Sequence, residues 1–406
     1  MAQNKINKRI DIAVFTVLLL AASIITFQLF YHQTTGSEAL YHSDMKAYIL
    51  EMQGLDSGYS FPYPVFFKLS AFFDLFVAPE LAVAIATLVL NSGAMIIMKW
   101  ALNYYALEQL ENAFVKNKWL AGAIISAVSI SLFFISMLFP PQGIYLPGIK
   151  YNYLGVFSAN PFHNATYMAA RPFAVLAFLW YVKLLDTYEG GGNNLKDYIL
   201  FSIFLLLATM TKPSFTIVLV GAAGLIMLWR MFRSKFRNFI PTIQLGLTFI
   251  PTFIDLLYQY KGVFVPDAGE EGGMGFTFGK IWALYCDNIP LAICLAVGFP
   301  LAVLVLNYKE LKTNTLFRFS WQVYLMSFAM AFFLYEKGFR WADFNFSWGY
   351  MYGIFFAFVG AVVVLLRRTG EKRKWWWLAL QWLPLLWHVV CGLYYFAGIA
   401  QGKMYY

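Results

Sequence analysis

Charged residues are scarce in this chain of 406 residues, where they make up only 13% of the sequence. A soluble domain carries about 25% charged residues, so the composition excludes an ordinary soluble fold. Hydrophobic residues reach 60%, and this much apolar surface is not hidden inside a soluble protein of this size. The apolar runs are continuous rather than alternating, which also excludes a transmembrane β-barrel.

The sequence also lacks the residue patterns that commonly bind metals or nucleotides. The three cysteines show no CxxC or CxxH spacing, so neither a disulfide framework nor a zinc site is indicated. The histidines His32, His42 and His163 are not spaced as metal ligands. The glycine-rich motifs GxxxxGK[ST] and GxGxxG are missing, which argues against a nucleotide site. No cofactor is signalled, although a divalent cation stays open.

Apolar runs of about 17–25 residues predict transmembrane helices. No soluble segment separates the runs, so we expect a single all-α transmembrane domain over 1–406. The stretch 198–229 is too long for one span and is interrupted by Lys212 and Pro213, which predicts two helices there. The eleven predicted spans cover 11–31, 80–102, 119–139, 165–185, 198–210, 213–229, 239–260, 289–307, 319–335, 348–366 and 378–400.

The distribution of charge predicts the orientation of these spans. With the N-terminus inside, the cytoplasmic side holds 20 of the 30 cations and eight of the 21 acids, a net charge of +12. The outer side then carries −3, so the overall charge of +9 is an orientation signal rather than evidence for nucleic acid binding. We expect an N-in, C-out protein of the cytoplasmic membrane, surrounded by membrane lipids. The longer loops 32–79, 140–164, 261–288 and 336–347 then lie outside.

The first outer loop, 32–79, predicts two helices that lie in the membrane interface. The first follows Asp44 and covers 45–52, and the second covers the apolar run 65–73. The apolar positions of the first helix share one face. They are Met45, Tyr48, Ile49 and Met52.

The same loop carries a recognisable pattern, in which an acid soon after the first span precedes a Tyr, a Gly and a Tyr-x-x-Pro-x-Pro stretch. The matching residues are Ser43, Asp44, Tyr48, Gly54, Tyr59, Tyr63 and Pro64. The pattern resembles the integral-membrane GT-C glycosyltransferases that use polyprenyl-phosphate sugars, such as the bacterial mannosyl- and arabinosyltransferases. The number of spans and the long first outer loop resemble the same family. The resemblance implies inverting transfer of a sugar from a polyprenyl-phosphate donor to a glycan or lipid acceptor at the outer face.

Asp44 is the candidate catalytic base that the resemblance implies. Inverting transfer needs a carboxylate within hydrogen-bond reach of the attacking hydroxyl, which explains why an acid would be required at this position. The alternative for Asp44 is a helix N-cap without a catalytic role. Many relatives carry two acids here, where this chain has Ser43-Asp44, a difference that leaves metal dependence open. Asp56 is the second candidate acid, assigned with Tyr48 to the sugar or acceptor site, although Asp is also common in such Gly-Ser turns.

Three cations are candidate ligands of the donor phosphate. Lys212 lies between two apolar spans, where a lysine is costly unless it is paired or functional. A snorkelling lysine at the interface is the alternative. Arg171 follows the start of the span 165–185, and Arg340 lies in the loop 336–347. An arginine in the outer turns of a span needs an anion, either a phosphate or a carboxylate.

Four further polar residues are candidates for binding the sugar or the acceptor. His163 and Asn164 lie in a stretch dense in hydrogen-bonding groups, for which a self-satisfied re-entrant turn is the alternative. Glu336 and Asp343 lie in a loop where charged and aromatic residues alternate. Aromatic rings stack on sugars and polar groups bind hydroxyls, but an aromatic interfacial belt would give the same composition.

Two other functions use the same features. A multi-spanning polysaccharide polymerase or ligase would use similar outer cations with a polymer as the acceptor. A transporter or flippase for lipid-linked glycans would place ionisable residues at mid-membrane, whereas the predicted spans are nearly free of them.

Overall fold

The structure is a computed structural model. Its described residues are 2–138, 158–192, 194–263, 273–338, 341–371 and 373–403. Within them almost all regular structure is helical, and the exception is one two-stranded sheet. Strand β1 (Met274–Phe276) pairs antiparallel with β2 (Leu334–Glu336). The predicted all-α class is therefore confirmed.

Sixteen α-helices and two single 3-10 turns, Tyr188–Gly190 and Trp282–Leu284, lie in the described part of the chain. The helices are α1 (Ala2–Thr35), α2 (Met45–Met52), α3 (Pro64–Asp74), α4 (Pro79–Glu111), α5 (Trp119–Ser131), α6 (Ala165–Thr187), α7 (Leu195–Thr211), α8 (Ser214–Arg233), α9 (Phe239–Leu247), α10 (Ile250–Val263), α11 (Ile289–Ala296), α12 (Gly298–Leu306), α13 (Glu310–Thr313), α14 (Thr315–Phe333), α15 (Ser347–Gly370) and α16 (Trp375–Ala400).

The long apolar helices make this a membrane-embedded protein. Six of the described helices are long and apolar enough to cross a membrane, or eight elements if each of two bent pairs is one span. Every predicted span coincides with a helix or a bent pair, but the count of eleven and the orientation stay predictions.

Three predicted spans depart from straight helices. Helices α9 and α10 meet at 49°, and α11 and α12 meet at 74°. Helix α5 ends at Ser131, earlier than the predicted limit of 139. Beyond it the chain bonds to other segments, because Asn160 Nδ2 donates to the carbonyls of Leu132 and Ile135 at 3.2 and 2.9 Å. These bonds replace those that a continued helix would make.

The central helix is α15, which is buried along almost its whole length. Its most extensive packing is against α14. Gly353 and Gly360 of α15 face Ser327 and Ser320 of α14, and a Cβ on either glycine would collide with the opposing serine. Small residues at this spacing let two helices approach closely, which supplies packing energy where the hydrophobic effect between helices is weak.

A largely buried ion pair joins three helices at the other end of the bundle from α2. Lys99 Nζ of α4 lies 2.7 Å from Asp11 Oδ1 of α1 and donates to the carbonyl of Gly122 in α5 at 3.0 Å. The hydroxyl of Ser126 donates to the same carboxylate oxygen at 3.2 Å. These hydrogen bonds compensate for burying two charges.

The local predictions around the first loop and the split helix are confirmed. Helix α2 covers 45–52 as predicted, with Met45 and Tyr48 buried, and α3 corresponds to the second expected helix. The long stretch 198–229 divides at Lys212 into α7 and α8. The position of α2 and α3 in a membrane interface stays a prediction.

Candidate functional site

Asp44 immediately precedes α2, but its carboxylate makes no capping hydrogen bond to that helix. The hydroxyl of Ser43 accepts the N–H of Met45 instead, at 3.3 Å. The helix-cap explanation for Asp44 therefore lacks the bond that defines it. The side chain is half-buried, so the protein holds it while a ligand can still reach it.

Two donors hold one oxygen of this carboxylate. Asn164 Nδ2 donates to Asp44 Oδ2 at 2.5 Å, and the Tyr48 hydroxyl lies 3.2 Å from the same atom. Asn164 caps α6, since its Oδ1 accepts the N–H of Tyr167 at 2.8 Å. The backbone N–H of Asp44 donates to the carbonyl of His163 at 3.1 Å. Asp44 thus joins α2 to the start of α6. Its other oxygen, Oδ1, accepts no hydrogen bond from the described residues and is available to a ligand.

Lys212 occupies the break between α7 and α8, with an extended backbone at φ −166° and ψ 122° that ends α7. Its side chain is only 7% exposed, and Nζ donates to the hydroxyl of Thr166 at 3.2 Å. The ring centroids of Trp348 and Tyr63 lie 4.8 and 5.8 Å from Nζ, within cation–π range. A snorkelling lysine keeps its ammonium in water, whereas protein encloses this one.

The hydroxyls of Thr166 and Tyr48 lie 3.1 Å apart and connect Lys212 to Asp44. Each hydroxyl has one proton to donate and can also accept. If Thr166 accepts from Lys212 and donates to Tyr48, then Tyr48 donates to Asp44 and both hydroxyls have a donor and an acceptor. Asn164 Oδ1, 3.0 Å from the Thr166 hydroxyl, is an alternative acceptor. We call these five residues the Asp44–Lys212 network.

Tyr48 holds the central position of this network. It is buried, and its ring packs edge-on against those of Phe61, Phe66 and Phe67. Burial, and next the nearby charge of Asp44, raise the pKa of Tyr48 well above its usual value. The phenol therefore keeps the proton that it donates to the carboxylate.

His163 lies beside the network, with its ring centroid 5.4 Å from that of Trp348. Burial lowers the pKa of His163 to about 4. The charge of Lys212 acts in the same direction, and that of Asp44 opposes it. The imidazole is therefore neutral near pH 7. In that form it can exchange hydrogen bonds with a hydroxyl but adds no charge to the site.

Arg171 lies five residues beyond Thr166 in α6 and is fully buried. Its guanidinium carbon lies 5.2–5.5 Å from ring centroids of Phe133, Tyr167 and Phe355. Within the described residues no carboxylate pairs with it, and its Nε and Nη1 donate to no protein atom. The structure thus places Arg171 in an aromatic cage outside the Asp44–Lys212 network, and its binding of phosphate stays a prediction.

The remaining candidate residues lie outside the network as well. Asp56 is exposed, and its Oδ1 accepts the N–H of Gly58 at 2.8 Å, as the turn alternative predicts. Glu336 accepts a hydrogen bond from Asn345 and so braces the segment that leads into α15. Asp343 in that segment is exposed.

Some of the loops that the sequence places outside lie partly beyond the described residues. Arg340 lies outside the described residues, as do 139–157 and 264–272 of the other loops. Among the residues that are described, no group of three or more His, Cys, Asp or Glu is placed to hold a metal ion.

Three residues at the site were not among the candidates from sequence. Thr166 follows Asn164 by two positions, and its hydroxyl lies next to both Tyr48 and Lys212. Trp348 and Tyr63 flank the ammonium of Lys212. All three lie within stretches that the sequence marks as polar or aromatic, but their roles depend on contacts between distant segments.

The chain was also compared with known proteins. No protein-family model matches it, and neither a curated protein nor a solved structure shows significant similarity.

Proposed function

We propose that this protein is a membrane glycosyltransferase of the GT-C type. It transfers a sugar from a polyprenyl-phosphate donor to a glycan or lipid acceptor, with inversion, at the outer face of the cytoplasmic membrane. The observation that carries the proposal is the hydrogen-bonded connection between Asp44 and Lys212, which brings a carboxylate and a cation to one site.

Asp44 acts as the general base in this proposal. The acceptor hydroxyl donates its proton to Oδ1 while its oxygen attacks the anomeric carbon of the sugar. Asn164 and Tyr48 hold Oδ2 and so orient the carboxylate. The new bond joins the acceptor oxygen to the anomeric carbon as the bond from that carbon to the phosphate oxygen breaks.

Lys212 receives the leaving group. Polyprenyl phosphate departs with the electrons of the broken bond, and its charge increases as it leaves. A fixed cation in a protein-enclosed position stabilises that charge more strongly than one in water. The rings of Trp348 and Tyr63 limit the movement of the ammonium. His163, being neutral, contacts hydroxyls of the sugar or the acceptor.

The proposal is tested with the purified full-length protein in proteoliposomes. Radiolabelled polyprenyl-phosphate sugars are supplied with a lipid or oligosaccharide acceptor, and the labelled product is measured. Asp44→Asn is expected to lower turnover at least about a hundredfold, the usual contribution of a general base. Lys212→Met is expected to lower kcat/KM for the donor by a similar factor.

Lys46→Met is the matched control, since Lys46 is exposed on α2 close to Asp44 but is not part of the network. It should retain wild-type transfer. Full activity of Asp44→Asn would exclude the base assignment. Movement of the labelled donor across the membrane without transfer would instead indicate a flippase.

A further inference from the structure

A cavity lies at the opposite end of α8 from Lys212, between α8 and α14. Its volume is about 890 Å³. One half is lined by apolar side chains of both helices. These are Leu225, Ile226, Trp229, Leu325, Met326 and Ala329.

The other half of the cavity is positively charged. Arg230, Arg233 and Arg318 line it, with Glu189 as the one acid in the lining. Glu189 is already engaged, because it lies 3.7 Å from Arg230 and accepts a hydrogen bond from Asn238 at 2.7 Å. Within the lining no acid is left for Arg233 or Arg318, although the carboxylate of Asp186, outside the lining, acts on Arg318.

The arginines are held in different ways. Arg318 donates to the carbonyl of Leu311 at 3.2 Å and to the hydroxyl of Thr315 at 2.8 Å, which fixes its guanidinium. Arg233 is exposed and forms no hydrogen bond or ion pair within the described residues. The side-chain oxygen of Gln322 is buried at the cavity wall and likewise has no partner in that part of the chain.

The dimensions of the cavity match one leaflet of a bilayer. Its lining on α8 extends from Ala222 to Ser234, about 18 Å at the helical rise of 1.5 Å per residue. Half of a bilayer's hydrocarbon core is about 15 Å thick. At the end of the cavity that is nearer to the start of α8, Gly221 packs against Met326 and Met330, which closes the space between the helices.

We propose that this cavity binds an anionic phospholipid. The headgroup phosphate lies between Arg233 and Arg318, where guanidinium groups form charge-assisted hydrogen bonds to phosphate oxygens. The side-chain oxygen of Gln322 accepts a hydrogen bond from a headgroup hydroxyl. The acyl chains lie against the apolar half of the cavity. The site is separate from the Asp44–Lys212 network, since the two lie at opposite ends of α8.

The test measures lipid binding to the full-length protein by native mass spectrometry in detergent. Phosphatidylglycerol and phosphatidylcholine with identical acyl chains are titrated separately. Phosphatidylglycerol should bind at least about fivefold more tightly, the effect of one basic residue acting on an anionic lipid. Arg233→Gln should remove about that factor for phosphatidylglycerol and have a smaller effect on phosphatidylcholine, whose choline cation offsets the charge of its phosphate.

Arg237→Gln is the matched control, because Arg237 is an exposed arginine four residues further along the chain, beyond the end of α8, that does not line the cavity. Ala329→Trp should fill the apolar half and weaken both lipids. Equal binding of the two lipids, or equal losses in Arg233→Gln and Arg237→Gln, would overturn the proposal. Displacement of the lipid by millimolar glycerol phosphate would also overturn it, since the headgroup alone would then suffice. None of these measurements depends on sugar transfer.

Discussion

Lys212 and Asp44 are connected through two hydroxyl groups, those of Thr166 and Tyr48, although they lie in segments far apart in the sequence. A change in charge at either end alters which way the hydroxyl protons point. Chains of hydrogen bonds polarise one another in a low-dielectric interior. In the proposed reaction, the negative charge that grows on the leaving group beside Lys212 and the proton that Asp44 takes from the acceptor are therefore coupled through protein groups.

The first prediction concerns Tyr48, which lies at the centre of the hydrogen-bonded connection between Lys212 and Asp44. Tyr48→Phe removes the hydroxyl but keeps the ring that packs against Phe61 and Phe66. We expect sugar transfer to fall about tenfold to a hundredfold, the loss expected for a hydrogen bond to a charged group, with little loss of stability. Turnover and unfolding temperature are measured together. Tyr31→Phe, an exposed tyrosine at the end of α1, serves as the control and should leave both values unchanged.

The second prediction is a dependence of stability on pH that comes from His163. Its pKa is about 4 in the fold and about 6.5 when unfolded. Between these values the unfolded chain binds a proton that the folded chain does not, so stability falls as pH is lowered from 6.5 towards 4. His163 accounts for about 2–3 kcal/mol of this loss at pH 4.5.

His163→Gln should lack that part of the acid sensitivity. Thermal unfolding of the two proteins across pH 4.5–7.5 gives the comparison, with the exposed His32→Gln as the control. Parallel curves for the wild type and His163→Gln would show that the imidazole is not buried in its neutral form.

The third prediction concerns the buried pair of Asp11 and Lys99. Asp11→Asn leaves Lys99 charged and without its carboxylate, which should cost about 3–5 kcal/mol of unfolding free energy. The double variant with Lys99→Met should recover much of that loss. By contrast, Glu111→Gln breaks the more exposed pair with Lys118 and should cost less than about 1 kcal/mol. A double variant no more stable than Asp11→Asn would contradict the assignment.

The fourth prediction compares two helical glycines. A methyl group at Gly353 would collide with Ser327 of α14, so Gly353→Ala should destabilise the protein by about 1–3 kcal/mol. Gly224 of α8 has no neighbour within 4 Å of an added Cβ, and Gly224→Ala should stabilise it by about 0.5–1 kcal/mol. Unfolding temperatures measured in one detergent compare the two, and a shift of the same sign in both would contradict the close packing of α14 and α15.

The features that sequence predicts well here are local. Helix α2 is predicted over 45–52 because its apolar residues recur with helical period. The break between α7 and α8 is predicted because a proline and a charged residue interrupt an apolar run at Lys212. In both places neighbouring residues alone determine the backbone.

The features that sequence does not predict depend on contacts between segments. Thr166 matters because the start of α6 lies between α2 and the α7–α8 break, and hydrophobic periodicity carries no information about that arrangement. The aromatic rings from three segments that enclose Arg171 are likewise not predicted from the sequence. The 74° bend between α11 and α12 was also not predicted, since the apolar run continues through it.

Helix α8 is 20 residues long, about 30 Å at the helical rise, and the hydrocarbon core of a bilayer has about the same thickness. Lys212 lies two residues before its first residue, Ser214, and Arg230 and Arg233 lie in its last turn. A thinner or thicker bilayer must therefore tilt this helix or deform around its charged ends. Membrane thickness thereby acts on the depth of Lys212, so under the proposed function the acyl-chain length of the host lipid affects how Lys212 meets the phosphate of the lipid-linked donor.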